Sequence, residues 1–219
     1  MFLKLIDRYG VLLIVFFLPA YLFRFRILGI PSTFLEVLFS LVFIVWVFNN
    51  FTGLKERIKL KIKKEDKKYI VKNYPFSFFI ISLVLASFIS LWVTGFSNNA
   101  LGVYKAYFIE AILFYVLIFN YSRKKGNIEK IILSLASSAF LVSLFAVYQK
   151  ITGHYWSGGV DELRVTSVFL YPNALGLYLG PVAILLYFYG ISLFRGSDQQ
   201  KNKILKAVFV LLVFALSLL

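Results

Sequence analysis

The sequence predicts an all-α fold, a polytopic transmembrane bundle of about seven helices with a cytoplasmic N-terminus. Three observations carry that expectation. Of 219 residues, 60% are hydrophobic, whereas soluble domains sit nearer about 45–50% apolar. The mean hydropathy is +0.82, and the apolar residues fall into runs near the length of about 20 residues that a bilayer crossing requires. The basic residues between those runs alternate between rich and poor gaps, as the orientation rule for membrane helices demands.

The predicted spans are Tyr9–Phe23, Thr33–Phe48, Pro75–Val93, Tyr104–Asn120, Ile128–Gln149, Pro172–Phe194 and Ile204–Leu219. The first follows Lys4 and Arg8 and could pass for a signal peptide. No small-x-small cleavage site follows it and Pro19 interrupts the run, so it reads as an uncleaved helix. The N-terminus carries two basic residues, the gap from Lys55 to Lys72 nine, the gap after the fourth span four, and the gap after the sixth span four. The remaining gaps hold five: Arg24, Arg26, Lys105, Lys150 and Arg164. This pattern places the N-terminus and the rich gaps in the cytoplasm. It also explains the formal charge of +14 as a topology signal, with no need of nucleic acid. In the stretch Lys55–Lys72, lysines alternate with Ile58, Leu60 and Ile62; it reads as a solvated loop that fixes orientation, the other reading being a segment lying on anionic headgroups. The chain is read as a single transmembrane domain over residues 1–219. Because it stops at Leu219 inside an apolar run, it is expected to be the N-terminal part of a larger protein.

No cysteine and one histidine leave no thiolate or histidine cluster for a metal, and no cofactor is expected. Ionisable groups within apolar spans are the first candidates for function, because a mid-membrane charge costs about 2.5–3.5 kcal/mol on insertion scales and therefore faces protein or water. Glu36 and Glu110 are the candidate intramembrane functional residues. Lys105 stands at the outer end of the fourth span, five positions before Glu110, which is not an ideal helical pairing distance. Structural ion pairs are the plainer reading of these groups.

The longest outer gap runs from Ile151 to Asn173. It contains His154, Gly158-Gly159, Asp161, Glu162, Arg164, Thr166, Ser167 and the pair Pro172-Asn173 that opens the sixth span. Pro suits a first helical turn. A forked guanidinium, nearby hydroxyls and the free N–H groups of a helix start suit a phosphate or pyrophosphate. The plainer reading pairs Arg164 with Asp161 or Glu162. His154 reads as a polar surface residue. Gly176 and Gly180 form a G-x-x-x-G pair expected to pack tightly within the protein.

The run Arg164-Val-Thr-Ser-Val-Phe-Leu-Tyr-Pro-Asn-Ala-Leu-Gly-Leu-Tyr-Leu resembles the O-antigen ligase and O-antigen polymerase superfamily, as do Arg24-Phe-Arg-Ile-Leu-Gly-Ile-Pro-Ser-Thr-Phe-Leu-Glu36 and Tyr104-Lys-Ala-Tyr-Phe-Ile-Glu110. Ala111 stands where that family often has proline. The resemblance implies a bacterial inner-membrane glycosyltransferase of cell-surface polysaccharide biosynthesis. Such a protein moves a glycan from an undecaprenyl-pyrophosphate carrier to an acceptor such as lipid A–core or another lipid-linked repeat, without nucleotide sugar or metal. Its partners are then the lipid-linked glycan, the acceptor and membrane lipids, with no nucleic acid. Arg164 is carried over as a pyrophosphate contact, and Ser167, Asn173 and Lys105 join it as candidate substrate-binding residues. The family has about twelve helices and a large outer loop bearing its catalytic histidine. This chain ends before such a loop and His154 does not match that histidine, so no catalytic residue is assigned. The alternative is a transporter or flippase of a lipid-linked or small anionic substrate.

Overall fold

The structure is a computed structural model that describes residues 2–27, 30–62, 76–154 and 164–195. It is mostly helical, with six helices among the described residues: α1 Phe2–Phe16, α2 Phe34–Ile62, α3 Ser77–Val93, α4 Asn98–Ser122, α5 Asn127–Thr152 and α6 Pro172–Arg195. Of these, α4, α5 and α6 (to Leu193) are long and apolar enough to cross a membrane by length and composition. That makes the chain a membrane protein. Two shorter apolar helices, Phe34–Asn49 within α2 and the whole of α3, accompany them. The predicted seventh span, Ile204–Leu219, lies outside the described residues.

The helix ends follow local chemistry. At Phe17 α1 gives way to a 3-10 turn, Leu18–Leu22, with proline in its opening turn, where a missing N–H is harmless. The predicted first span is thus shorter at its C-terminal end and starts earlier. A two-stranded antiparallel hairpin follows, β1 Arg24–Ile27 against β2 Ile30–Thr33, in place of the predicted helix ends there, while the fold as a whole fits the all-α class. Thr33 then caps α2: its Oγ1 accepts the Glu36 N–H at 3.1 Å, in a Thr-x-x-Glu sequence that is a helix-start signature.

The solvated-loop reading of Lys55–Lys72 needs correction over its first part. Residues 55–62 continue α2, because Lys, Leu, Glu and Arg are all good helix formers and the one Gly on the way, Gly53, costs a helix only about 1 kcal/mol. The rest of that stretch lies outside the described residues. The end of α3 is a Schellman closure. Gly95 takes a φ of +66°, its N–H donates to Trp92 O at 3.1 Å, and Phe96 N–H donates to Leu91 O at 3.3 Å. Ser97 caps α4 by accepting the Ala100 N–H at 3.4 Å.

The chain divides into two compact units, Met1–Val11 with Phe39–Asn127, and Leu12–Leu38 with Ile128–Leu219. In the first unit Gly10 meets α2 closely: a Cβ there would stand 2.7 Å from Val42 Cγ1. Phe39 and Phe114 pack edge to face at 6.4 Å. Along α3 the usual order is reversed. Its buried residues are Ser77, Ser87 and Leu91, while Phe78, Phe79, Trp92 and Val93 are exposed. A helix whose rings face outward suits lipid as its solvent.

The second unit is built on α5 and α6. Ala136, Ala139 and Val142 of α5 pack with Leu179, Val182 and Leu186 of α6 and with Phe169 before it. The alanines let the two backbones approach closely. Tyr178 OH bonds Ser138 Oγ at 2.7 Å, and Ser134 Oγ donates to Leu12 O at 2.7 Å, tying α1 to α5.

Candidate functional site

The segment from Arg164 to Pro172 links the described end of the long gap to α6, and a buried amide holds it in place. Gln149, in the last turns of α5, is 1% exposed. Its Oε1 accepts the N–H groups of Thr166 at 3.2 Å and Ser167 at 2.6 Å, and its Nε2 donates to Ser167 O at 2.9 Å. The side chain thus does for this loop what a neighbouring strand does for a backbone, satisfying two donors and one acceptor that burial would otherwise leave unpaired.

Ser167 completes the lock. Its backbone takes a φ of +54°, in the left-handed region that non-glycine residues rarely occupy. Its Oγ donates to Val142 O on α5 at 2.6 Å. Phe169 N–H then turns back to Thr166 O at 3.0 Å, and the Phe169 ring enters the core of the unit 5.6 Å from the ring of Tyr178. The Gln149 side chain and the Val142 carbonyl on α5, with the Tyr178 ring on α6, therefore decide where this loop runs.

The sequence candidates on this segment separate by burial. Arg164 is exposed two residues before the clamp, and Asn173 is exposed in the first turn of α6. No ion pair joins Arg164 to a carboxylate among the described residues; Asp161 and Glu162, its predicted partners in the plainer reading, lie outside them. Ser167 is buried and its hydroxyl is directed into the protein. Buried Thr166 Oγ1 has no hydrogen-bond partner among the described residues. His154 is exposed beyond the end of α5, its Nδ1 3.1 Å from Thr152 O. A carbonyl there calls for the proton on Nδ1.

Lys105 and Glu110 belong to the other unit, and there the structure does bring them together. Their side chains lie 3.3 Å apart, with Lys105 53% and Glu110 20% exposed. Five positions is the wrong spacing for an α-helix, but Tyr104–Ile109 is a π-helical segment inside α4. Its wider turn pairs residue i with residue i+5. Glu110 N–H accordingly bonds Lys105 O, so backbone and side chains join the same two residues. Glu36 occupies the first turn of α2, where a carboxylate favours the positive end of the helix dipole. Gly176 and Gly180, expected to pack within the protein, are exposed, and apart from the adjoining turns of α6 no described residue comes within 4 Å of the Cβ position of either.

Sequence reasoning missed Gln149 and the π segment. An amide at the end of an apolar span was the available signal for the first. For the second there was none, since a wider turn leaves no mark in residue type. No family model, no curated protein and no solved structure matches the chain.

Proposed function

We propose that this protein is an O-antigen ligase- or polymerase-like membrane glycosyltransferase, or the N-terminal part of one, acting at the outer face of a bacterial plasma membrane. It transfers a glycan from an undecaprenyl-pyrophosphate carrier to a hydroxyl acceptor. The bond between the sugar's anomeric carbon and the pyrophosphate oxygen breaks, a bond to the acceptor oxygen forms as that hydroxyl gives up its proton to water, and the pyrophosphate leaves on its lipid. The charge that develops on that leaving group is what an arginine fork stabilises.

The observation that supports this reading is the placement of Arg164. It is exposed two residues before a loop segment whose course is held by buried Gln149 and which leads into an apolar helix. A cation on a rigid support needs little reorganisation to meet an anion. Asn173, exposed in the first turn of α6, is the other candidate on this segment open to a substrate.

The test is complementation. In a strain whose surface glycan is restored by this protein, Arg164→Ala should reduce transfer by about tenfold or more at unchanged protein level, the loss expected for a donor to a developing anion. Unchanged glycan would remove Arg164 from the mechanism.

The π segment favours a second reading, a transporter or flippase. An ion pair on irregular backbone within a helix of membrane-crossing length is a feature of substrate and proton paths. Vesicles reconstituted with the protein that move a lipid-linked or small anionic substrate, with no glycan transfer, would select this reading over the first.

A further inference from the structure

The hairpin between α1 and α2 carries two chemistries on two faces. Successive strand residues point to opposite sides, so Arg24 and Arg26 of β1 share one face, and Phe25, with Phe23 two residues before it, takes the other. All four are exposed, Phe23 by 71% and Phe25 by 41%. The two arginine Cα atoms stand about 6.6 Å apart at ordinary strand rise, close enough for both guanidinium groups to reach one headgroup.

The element is anchored at its base. Phe34 N–H donates to Phe23 O at 3.0 Å. Thr33, the register partner of Arg24, also caps α2 through the Glu36 N–H. Leu22, immediately before the hairpin, packs against the core cluster of the second unit. Neither arginine has an ion pair among the described residues, and neither strand contains an acid.

We propose that this hairpin seats at the membrane interface and binds the phosphate of a lipid headgroup through Arg24 and Arg26, with Phe23 and Phe25 inserted beside it. Aromatic rings partition to the headgroup level, and guanidinium forks match phosphate oxygens in geometry and charge. Exposed phenylalanines on the same stretch of chain as the arginines select a lipid over a soluble phosphate, which would have nothing to offer them. The inference is independent of glycan transfer and is read by binding alone.

The experiment follows thermal unfolding of the purified full chain in neutral detergent as dioctanoyl phosphatidylglycerol is added, since a ligand of the folded state raises the midpoint with its occupancy. The wild type should show a saturable rise. R24Q/R26Q should need about tenfold more lipid for the same rise, the product of two exposed ionic contacts at about threefold each, and R24K/R26K should fall between the two. K124Q/K125Q, matched in charge on another exposed segment, should follow the wild type. Dioctanoylglycerol, which lacks phosphate, should give no saturable rise. If R24Q/R26Q fails to fold, R26Q alone is read the same way, with about threefold expected. Wild-type behaviour of the arginine variants would overturn the proposal. So would an equal loss in K124Q/K125Q, which would reduce the effect to net charge. An equal rise with inorganic pyrophosphate would overturn the assignment to a lipid.

Discussion

Two charged candidate regions, one in each unit, are held in opposite ways. The Arg164 segment leaves its charge exposed and takes its shape from neutral buried groups, Gln149 above all. In α4 the charges themselves are joined, Lys105 to Glu110, and the irregular backbone of the π segment is what lets them meet. In the first region support and chemistry are separate residues; in the second they coincide. Removing the support should therefore damage the first region far more than removing its charge, whereas in the second a single change removes both, and gently, because the pair is partly exposed.

The largest expected effect is that of Gln149→Ala. It leaves two N–H groups and one carbonyl unpaired in a buried place, and each unmade bond costs about 1–3 kcal/mol. Unfolding in detergent should show a loss of about 3 kcal/mol or more. A loss below about 1 kcal/mol would mean that water replaces the amide and that the loop is not held as described. Next comes Gly10→Ala in the first unit. The added Cβ meets Val42 at 2.7 Å, and overpacking of this kind costs about 1–3 kcal/mol. An unchanged midpoint would show that α1 and α2 part easily there.

The ion pair ranks third. Lys105→Met should cost less than about 1 kcal/mol, the range of exposed pairs. A larger loss would make the pair a structural support of α4, and the contrast between the regions would fail. The smallest stability effect is expected for Arg164→Ala, within about 0.5 kcal/mol as for an exposed side chain away from packing, although the same change is the one expected to abolish most glycan transfer. Stability and activity should thus move in opposite order for Gln149 and Arg164 if the two roles are as separate as the structure draws them.

Much of the helical layout was legible beforehand, for reasons visible residue by residue. The spans predicted at Pro75–Val93, Ile128–Gln149 and Pro172–Phe194 differ from α3, α5 and α6 by three residues or fewer at each end. Apolar runs bounded by Pro, Gly and charge leave few alternatives when lipid is the solvent. Where the boundary depends on hydrogen bonding more than on hydropathy, prediction slipped. Arg24–Thr33 became a hairpin, and α2 ran on through lysines as far as Ile62. The capping sequence Thr33-Phe-Leu-Glu36 was there to be read.

The candidate site divides along the same line. Composition and the lengths of the apolar runs by themselves determined that this is a membrane chain, where most of its apolar helices lie, and that Arg164, Lys105, Glu36 and Glu110 are the charges to watch, because a bilayer penalises polarity whatever the fold around it. Only the tertiary structure decided which of those charges are paired and which polar groups face inward. Lys105 reaches Glu110 because one turn of α4 is wider than the rest, and Ser167 turns inward because Gln149, eighteen positions earlier, takes both its N–H and its carbonyl. Such bonds depend on where two distant stretches of backbone come to lie, and residue type alone does not encode that.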